Sequence, residues 1–194
     1  SHRAGWQRIM RDVFRHPTRF LYAERQGVIA GVFPLAHVKS FLFGNALVSL
    51  PFAVYGGVAA TNEEAAGALE RAAQDIARQR KVDHLELRNR VARHPNWPTQ
   101  DIYVSFRKTL APDAESNLQA IPRKQRAMVR KGIKNDLRSE IDGNVERFFS
   151  LYADNVHRHG TPALPKSYFK TLLSVFPGDC DILTVVDGAG RPLS

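Results

Sequence analysis

Apolar residues recur at helical spacing in some stretches and alternate in others, and the two periods divide the chain. Trp6, Ile9, Met10 and Val13 predict a short helix over 6–14. His16-Pro17 stops it, because proline disfavours helical backbone in the residue before it. Residues 19–24 and 28–38 read as two strands joined by a tight Gln26-Gly27 turn. Residues 41–43 and 47–52 predict further strand, ending at Tyr55-Gly56-Gly57. The clearest helix is 63–80, where Ala65, Ala66, Leu69, Ala72, Ala73, Ile76 and Ala77 form one apolar stripe. Thr61 and Glu64 have capping-box spacing at its start. Residues 83–88 alternate, with Leu85 and Leu87 on one face and His84, Glu86 and Arg88 on the other. A polar, proline-containing loop (94–98) follows, then another alternating strand over 102–110.

A second part begins near Ala111-Pro112. Helices are expected over 117–138, 145–159 (ended by Gly160) and 165–176. A strand over 181–186 leads into a turn over 187–190, and Arg191 begins a return strand. Helix, strand, glycine-containing turn, strand thus occurs twice, over 6–35 and from Tyr168 onward. The second copy stops just inside its returning strand, where unpaired backbone groups are costly if buried. The expectation is a natural protein that continues past Ser194, or a remainder that is missing.

The composition is 43% hydrophobic and 24% charged, that of an ordinary globular chain. One cysteine, Cys180, rules out an internal disulfide and fits a reducing, cytoplasmic setting. No apolar run approaches the roughly 20 residues of a membrane helix. The Ser-His-Arg opening carries no secretory signal, and no initiator Met precedes it. Against 28 Lys and Arg stand 19 Asp and Glu, a formal charge of +9 that favours anionic partners: phosphates, nucleic acid or an anionic membrane surface.

That charge is concentrated. Arg123, Lys124, Arg126, Arg130, Lys131, Lys134 and Arg138 share one window with a single acid, Asp136. On one helix they occupy an arc of roughly 160°. Leu118, Ile121, Met128, Val129 and Ile133 lie opposite, a face able to pack on a core. Arg forks and Lys point charges suit phosphate oxygens, so the cationic face predicts a phosphate-bearing ligand such as tRNA or a nucleotide-linked precursor. A merely solvated helix face is the plain alternative.

Tyr55, Gly56 and Gly57 form a candidate ligand loop, since glycines let a ligand reach the backbone; a tight turn before a helix reads equally well. Glu86 is a weak candidate for accepting a proton from an attacking amine, and Tyr55 for donating to an oxyanion. His157 and His159 sit two apart, too divergent on a helix to form a metal pair, and no metal is expected. Nothing near Cys180 in sequence would activate it as a nucleophile. No Ser-His-Asp order, phosphate-binding P-loop or zinc cluster occurs, so hydrolase, P-loop NTPase and zinc-finger classes lack support.

Several short motifs follow one another in a fixed order: Val32-Phe33-Pro34-Leu35, Leu42-Phe43-Gly44, Leu47-Val48-Ser49-Leu50-Pro51-Phe52, Tyr55-Gly56-Gly57, Leu85-Glu86-Leu87-Arg88, the run from Ile121 to Gly132, and His159-Gly160-Thr161-Pro162. In this series the chain resembles the FemAB-like proteins associated with bacterial PEP-CTERM/exosortase systems, from about Trp6 to the last residue. The resemblance implies an α/β (α+β) fold: a GNAT-like mixed sheet flanked by helices over 1–110. A helical linker and the start of a second, incomplete GNAT-like domain would follow over 111–194. It also implies an N-acyltransferase, transferring an aminoacyl or other acyl group to an amine on a peptidoglycan or exopolysaccharide-related precursor. The donor implied is aminoacyl-tRNA. Acetyl-CoA is less favoured, because residues 55–61 lack the glycine-rich pyrophosphate loop of acetyl-CoA-using GNAT enzymes. The alternative is a non-catalytic GNAT-like module that binds RNA or envelope-assembly partners.

Overall fold

The computed structural model describes residues 2–41, 44–100 and 103–194. Two compact units divide the chain, Ser1–Pro98 with Ser174–Pro177 and Thr99–Leu173 with Gly178–Ser194. The first holds α1 (Gly5–Asp12), β1 (Thr18–Arg25), β2 (Val28–Ser40), β3 (Gly44–Val48), β4 (Ala59–Ala60), α2 (Glu63–Arg80) and β5 (His84–Glu86). The second holds α3 (Ala114–Gln119), α4 (Arg123–Lys134), β6 (Arg138–Asp142), α5 (Glu146–Arg158), most of α6 (Lys166–Val175) and β7 (Ile182–Val186). No helix among the described residues is long and apolar enough to cross a membrane.

In the first unit β1 and β2 form the expected hairpin. Gln26 and Gly27 both take positive φ, the requirement of the turn that matches strand twist. β2 is long, and its far edge is shared. Ala36 to Ser40 pair with β3, whereas Gly31 and Val32 pair with β4. Pro34 falls between the two partners. The His37 N–H donates to Pro17 on the β1 side and the Ala30 carbonyl accepts from Thr61 on the other, so Pro34 nitrogen faces the gap. A proline is tolerated inside this strand because no ladder bond is needed there.

β3 and β5 are parallel, and α2 makes the crossover between them. The stripe expected for 63–80 is the face that packs: Phe33, Leu35, Leu47, Leu69 and Ala73 form the core, each no more than 3% exposed. The capping box expected of Thr61 and Glu64 is not formed. Asn62 is the N-cap instead, accepting from the Ala65 N–H at 2.9 Å. Glu70, also on α2 and 5% exposed, is held by Arg93 Nε at 2.7 Å. Arg93 reaches Glu63 as well, at 3.1 and 2.8 Å. These bonds, to Glu63 first and then Glu70, hold the guanidinium pKa above its ordinary value.

Several expectations fail. The strand over 47–52 ends at Val48, because Leu50 and Phe52 take positive φ and leave the sheet. Of the strand over 41–43, Phe41 is in a turn, and Leu42 and Phe43 lie outside the described residues. No strand runs over 103–110: Tyr103, Val104, Phe106 and Leu110 are all at least 74% exposed. Alternation there lacks a neighbouring strand to pair with, and Ile102 lies outside the described residues. The single helix over 117–138 is two, broken at Ile121-Pro122, where the ring of Pro122 (ψ 143°) forbids helical continuity. Arg138 belongs not to that helix but to β6, a strand the periodicity did not predict.

In the second unit β6 pairs antiparallel with β7, and Leu193 N–H donates to Val185 at 2.8 Å where the chain begins its return. The order α6, β7, turn, return repeats that of α1, β1, turn, β2. Val145, Tyr168, Ile182, Thr184 and Val186 are buried. Thr184 Oγ1 donates to Asp142 at 2.7 Å, and Arg147 joins Asp142 to Glu140. Glu146 in the first turn of α5 binds Lys166 and Lys170 of α6, at 2.6 and 2.9 Å.

Removing Arg93 leaves Glu70 buried with only His94 Nε2 beside it among the described residues, at 3.3 Å. Arg93→Ala is expected to destabilise the first unit by about 2–3 kcal/mol in urea unfolding, moderated because Arg93 is itself partly exposed. Glu146 has its pKa lowered to about 2, chiefly by Lys166 and then Lys170. A lowered folded value means its contribution is present above the ordinary 4.5 and fades as pH falls toward 2. Glu146→Gln should flatten stability against pH across that window; an unchanged acid limb would refute the tie.

Candidate functional site

In open sheets with a parallel pair, the crevice beyond the carboxyl ends of the strands is where ligands commonly bind. Here the loop over 49–57 occupies the region beyond β3 and β5. Ser49 N–H donates to the Glu86 carbonyl at 2.9 Å, and Arg88 N–H donates to Ser49 Oγ at 2.6 Å. The N–H groups of Gly56 and Gly57 both donate to the Arg88 carbonyl, each at 3.1 Å. His2 Nε2 lies 2.6 Å from the Gly57 carbonyl. The loop is therefore tied to the continuation of β5 at three points.

The glycines of Tyr55-Gly56-Gly57 are buried and serve this closure. A Cβ on Gly56 would overlap the Ser49 carbonyl oxygen, and one on Gly57 the Asn89 side-chain oxygen. Close backbone approach, one reason glycine is needed, is real here, but the group approached is the chain itself. Leu50 and Phe52, at φ 55° and 66°, keep a backbone that bulky residues rarely adopt. Leu50 is fully buried, and Phe52 stacks on Phe14 with ring centres 3.9 Å apart. Local strain of this kind persists only where surrounding contacts over-determine it.

Glu86 and Arg88, expected on one polar face, are bound to each other. Arg88 Nε donates to Glu86 Oε1 at 2.6 Å, and Arg88 also donates to the Ala53 carbonyl at 3.0 Å. Both side chains are part-exposed, at 41% for Glu86 and 33% for Arg88. Tyr55 is half-buried in the same loop. The structure thus brings Tyr55, Gly56, Gly57, Glu86 and Arg88 together around Ser49.

The cationic segment lies in the second unit. Pro122 precedes the helix, and α4 carries Arg123, Lys124, Arg126, Arg130, Lys131 and Lys134 without an acid. Arg123, Lys124, Arg130, Lys131 and Lys134 have no carboxylate within ion-pair distance among the described residues. Arg126 differs: its guanidinium donates to the Ile121 carbonyl at 3.2 and 3.3 Å and to Gln119, locking the α3–α4 joint. Arg138, on β6, contacts Asp136 and the Gly188 carbonyl. The apolar side of α4 does not pack on a core here: Met128 and Ile133 are 64% and 68% exposed.

Sequence reasoning missed the Glu63–Glu70–Arg93 cluster and an aromatic group in the second unit. Phe148, Tyr152 and Phe169 pack edge and face, with ring centres 4.9–5.7 Å apart. Tyr152 Oη accepts from the Leu164 N–H at 3.1 Å, fixing the segment after Gly160. The spacing of 148 and 152 was the available signal. Cys180 is half-buried and lines a cavity of about 160 Å3 with Phe148, Phe169, Leu172 and Leu183. His157 and His159 are exposed at the end of α5.

No family model matches the chain, and no curated protein matches it. Among solved structures, the crystal structure of FemX superposes on 94% of this chain with a TM-score of 0.59 at 17% sequence identity. The chain has a FemX-like fold. It spans about half of the FemX chain, 51%. The mixed sheet flanked by helices is thus the GNAT-like architecture implied by the motif series.

Gly56→Ala is expected to lower stability by about 2–3 kcal/mol, since the Ser49 carbonyl is backbone and cannot swing aside. Thermal unfolding checks this, and a variant as stable as the parent would show that the loop is not packed as described.

Proposed function

We propose that the chain is part of an N-acyltransferase of the FemAB kind, of the branch associated with PEP-CTERM/exosortase systems. It would carry an aminoacyl or other acyl group to an amine on a cell-envelope precursor, peptidoglycan or exopolysaccharide-related. The division into a GNAT-like domain over 1–110 and the start of a second over 111–194 belongs to this reading, as does action in the cytoplasm. The FemX-like fold supports the family, and the motif series supports the branch.

The observation that carries a phosphate-bearing ligand is the unpaired face of α4. Five cations without carboxylate partners on one 12-residue helix hold a charge that the described residues do not neutralise. An anion would, whether the donor tRNA or a nucleotide-linked precursor. In the transfer, the acceptor amine attacks the ester carbonyl and a C–N bond forms. The C–O ester bond breaks, the amine loses a proton, and the departing hydroxyl gains one. Glu86 is the candidate to take the amine proton and Tyr55 the candidate donor to the developing oxyanion. Orientation supplies much of such a reaction, so the reading does not require a strong base. A binding module for RNA without catalysis is the competing reading, and the tight Glu86–Arg88 pair is the feature that favours it.

The deciding experiment uses binding and turnover together. Arg130, Lys131 and Lys134 are replaced by alanine; Arg126 is left, because it holds the α3–α4 joint. Affinity for aminoacyl-tRNA or a UDP-linked precursor should fall at least tenfold at low salt. The slope of log K against log salt should fall by up to about 3, one per phosphate contact. Binding that survives unchanged would remove α4 from the site. Binding without acyl transfer to any amine acceptor would favour the module, and stabilisation by acetyl-CoA alone would move the donor to a thioester.

A further inference from the structure

At the C-terminal end of α2, Ile76 and Arg80 face strand residues across a cleft. Strand alternation puts His37 on the same face as Leu35 and opposite Leu47, and places Arg19 across from Leu35. Arg80 is the last residue of α2. These side chains and the apolar Leu47 and Ile76 line a cleft of about 250 Å3 within the first unit.

Neither Arg19 nor Arg80 has a carboxylate or other hydrogen-bond partner among the described residues, although most cations of this unit's helices do. His37 is oriented by a relay. Asn45 N–H donates to Asp83 at 2.8 Å, and Asn45 Nδ2 donates to the Lys81 carbonyl at 3.0 Å. The amide oxygen of Asn45 then faces His37 Nε2 at 2.6 Å, so Nε2 is the donor and Nδ1 has no hydrogen-bond partner among the described residues. The nearby His16 has its pKa held below the ordinary value, first by burial and then by repulsion from His37. The carbonyls at this end of α2 would repel an anion, but those of Ala77 and Arg78 are capped by the Val82 and Lys81 N–H groups.

We propose that this cleft binds the phosphate monoester of a small organic molecule, with the phosphate on Arg19 and Arg80 and the organic part on Leu47 and Ile76. Two unpaired guanidiniums decide for phosphate over carboxylate: a carboxylate neutralises one of them, whereas a monoester carries nearly two charges at pH 7. Guanidinium forks match its oxygens in geometry. The volume suits a compact ligand rather than a nucleic acid strand. The site lies apart in sequence from α4 and is independent of the acyl-transfer reading.

Phenyl phosphate is the probe, titrated into the protein by calorimetry, with inorganic phosphate and benzoate as parallel arms. Binding is expected, with inorganic phosphate and benzoate each about tenfold weaker, the first for want of apolar contact and the second for want of charge. The double variant Arg19→Gln/Arg80→Gln should lose at least tenfold, whereas the triple alanine variant of α4 should bind as the parent does. Both arginines are exposed, so their replacement should leave the far-UV circular dichroism unchanged. If the double variant does unfold, the single variants and the His37 ring nitrogen shifts carry the test. The proposal is overturned by absence of binding, by undiminished binding in the arginine variants, by loss in the α4 variant instead, or by equal affinity for benzoate.

Discussion

The parallel pairing of β3 with β5 is the constraint on which the first unit depends. Parallel neighbours cannot be joined by a tight turn, so the chain must cross over, and α2 is the crossover. The apolar stripe of α2 becomes the roof of the core, with Leu69 and Ala73 over Phe33, Leu35 and Leu47. Everything placed near the candidate site follows. β3 must end where the loop over 49–57 begins, and the continuation of β5 must run beside that loop. The buried Glu70 on α2 in turn draws Arg93 back onto the helix and holds the chain that leaves β5.

The loop itself exchanges backbone comfort for contacts. Two bulky residues at positive φ would be unfavourable in an isolated peptide. Burial of Leu50, the stacking of Phe52 on Phe14, and the bonds from Ser49, Gly56 and Gly57 to the strand beside them offset that strain. A single backbone carbonyl, that of Arg88, receives two of those bonds, while its side chain secures Glu86 and Ala53. Arg88 is thus the joint between sheet and loop. Electrostatics separate the two units differently. In the first, Arg25, Arg88 and Arg93 are matched to acids, whereas Arg19 and Arg80, two of the cations without a carboxylate partner among the described residues, line one cleft. In the second, the unmatched cations lie along α4.

The motif order foretold a GNAT-like sheet, and the observed topology agrees with it. Long amphipathic periods were the most legible: α2 lies within the bounds that its alanine and leucine stripe sets, and the β1–β2 hairpin forms around Gln26-Gly27. Cation clustering was equally legible, but its partition was not. Arg126 turns back to the Ile121 carbonyl and Arg138 enters a strand, distinctions that depend on where Pro122 breaks the helix and on β7 as a partner. The alternation over 103–110 read as a strand because period alone does not reveal whether a neighbour exists.

The sequence by itself determined α2, the β1–β2 hairpin and the helices α5 and α6, because turn chemistry, proline stops and apolar periodicity act through neighbours only a few residues apart. It also determined the excess of positive charge and its concentration around residues 123–138. Tertiary structure alone decided that the Tyr55-Gly56-Gly57 backbone bonds to Arg88, that Glu86 is paired with Arg88, and that Arg19, His37 and Arg80 share a cleft. The loop-to-Arg88 bonds and the cleft join residues tens of positions apart, whereas Glu86 and Arg88 are two apart and already shared a face in the strand alternation. Those bonds and the cleft exist because α2 folds one parallel strand back beside another, a long-range contact that no local pattern encodes.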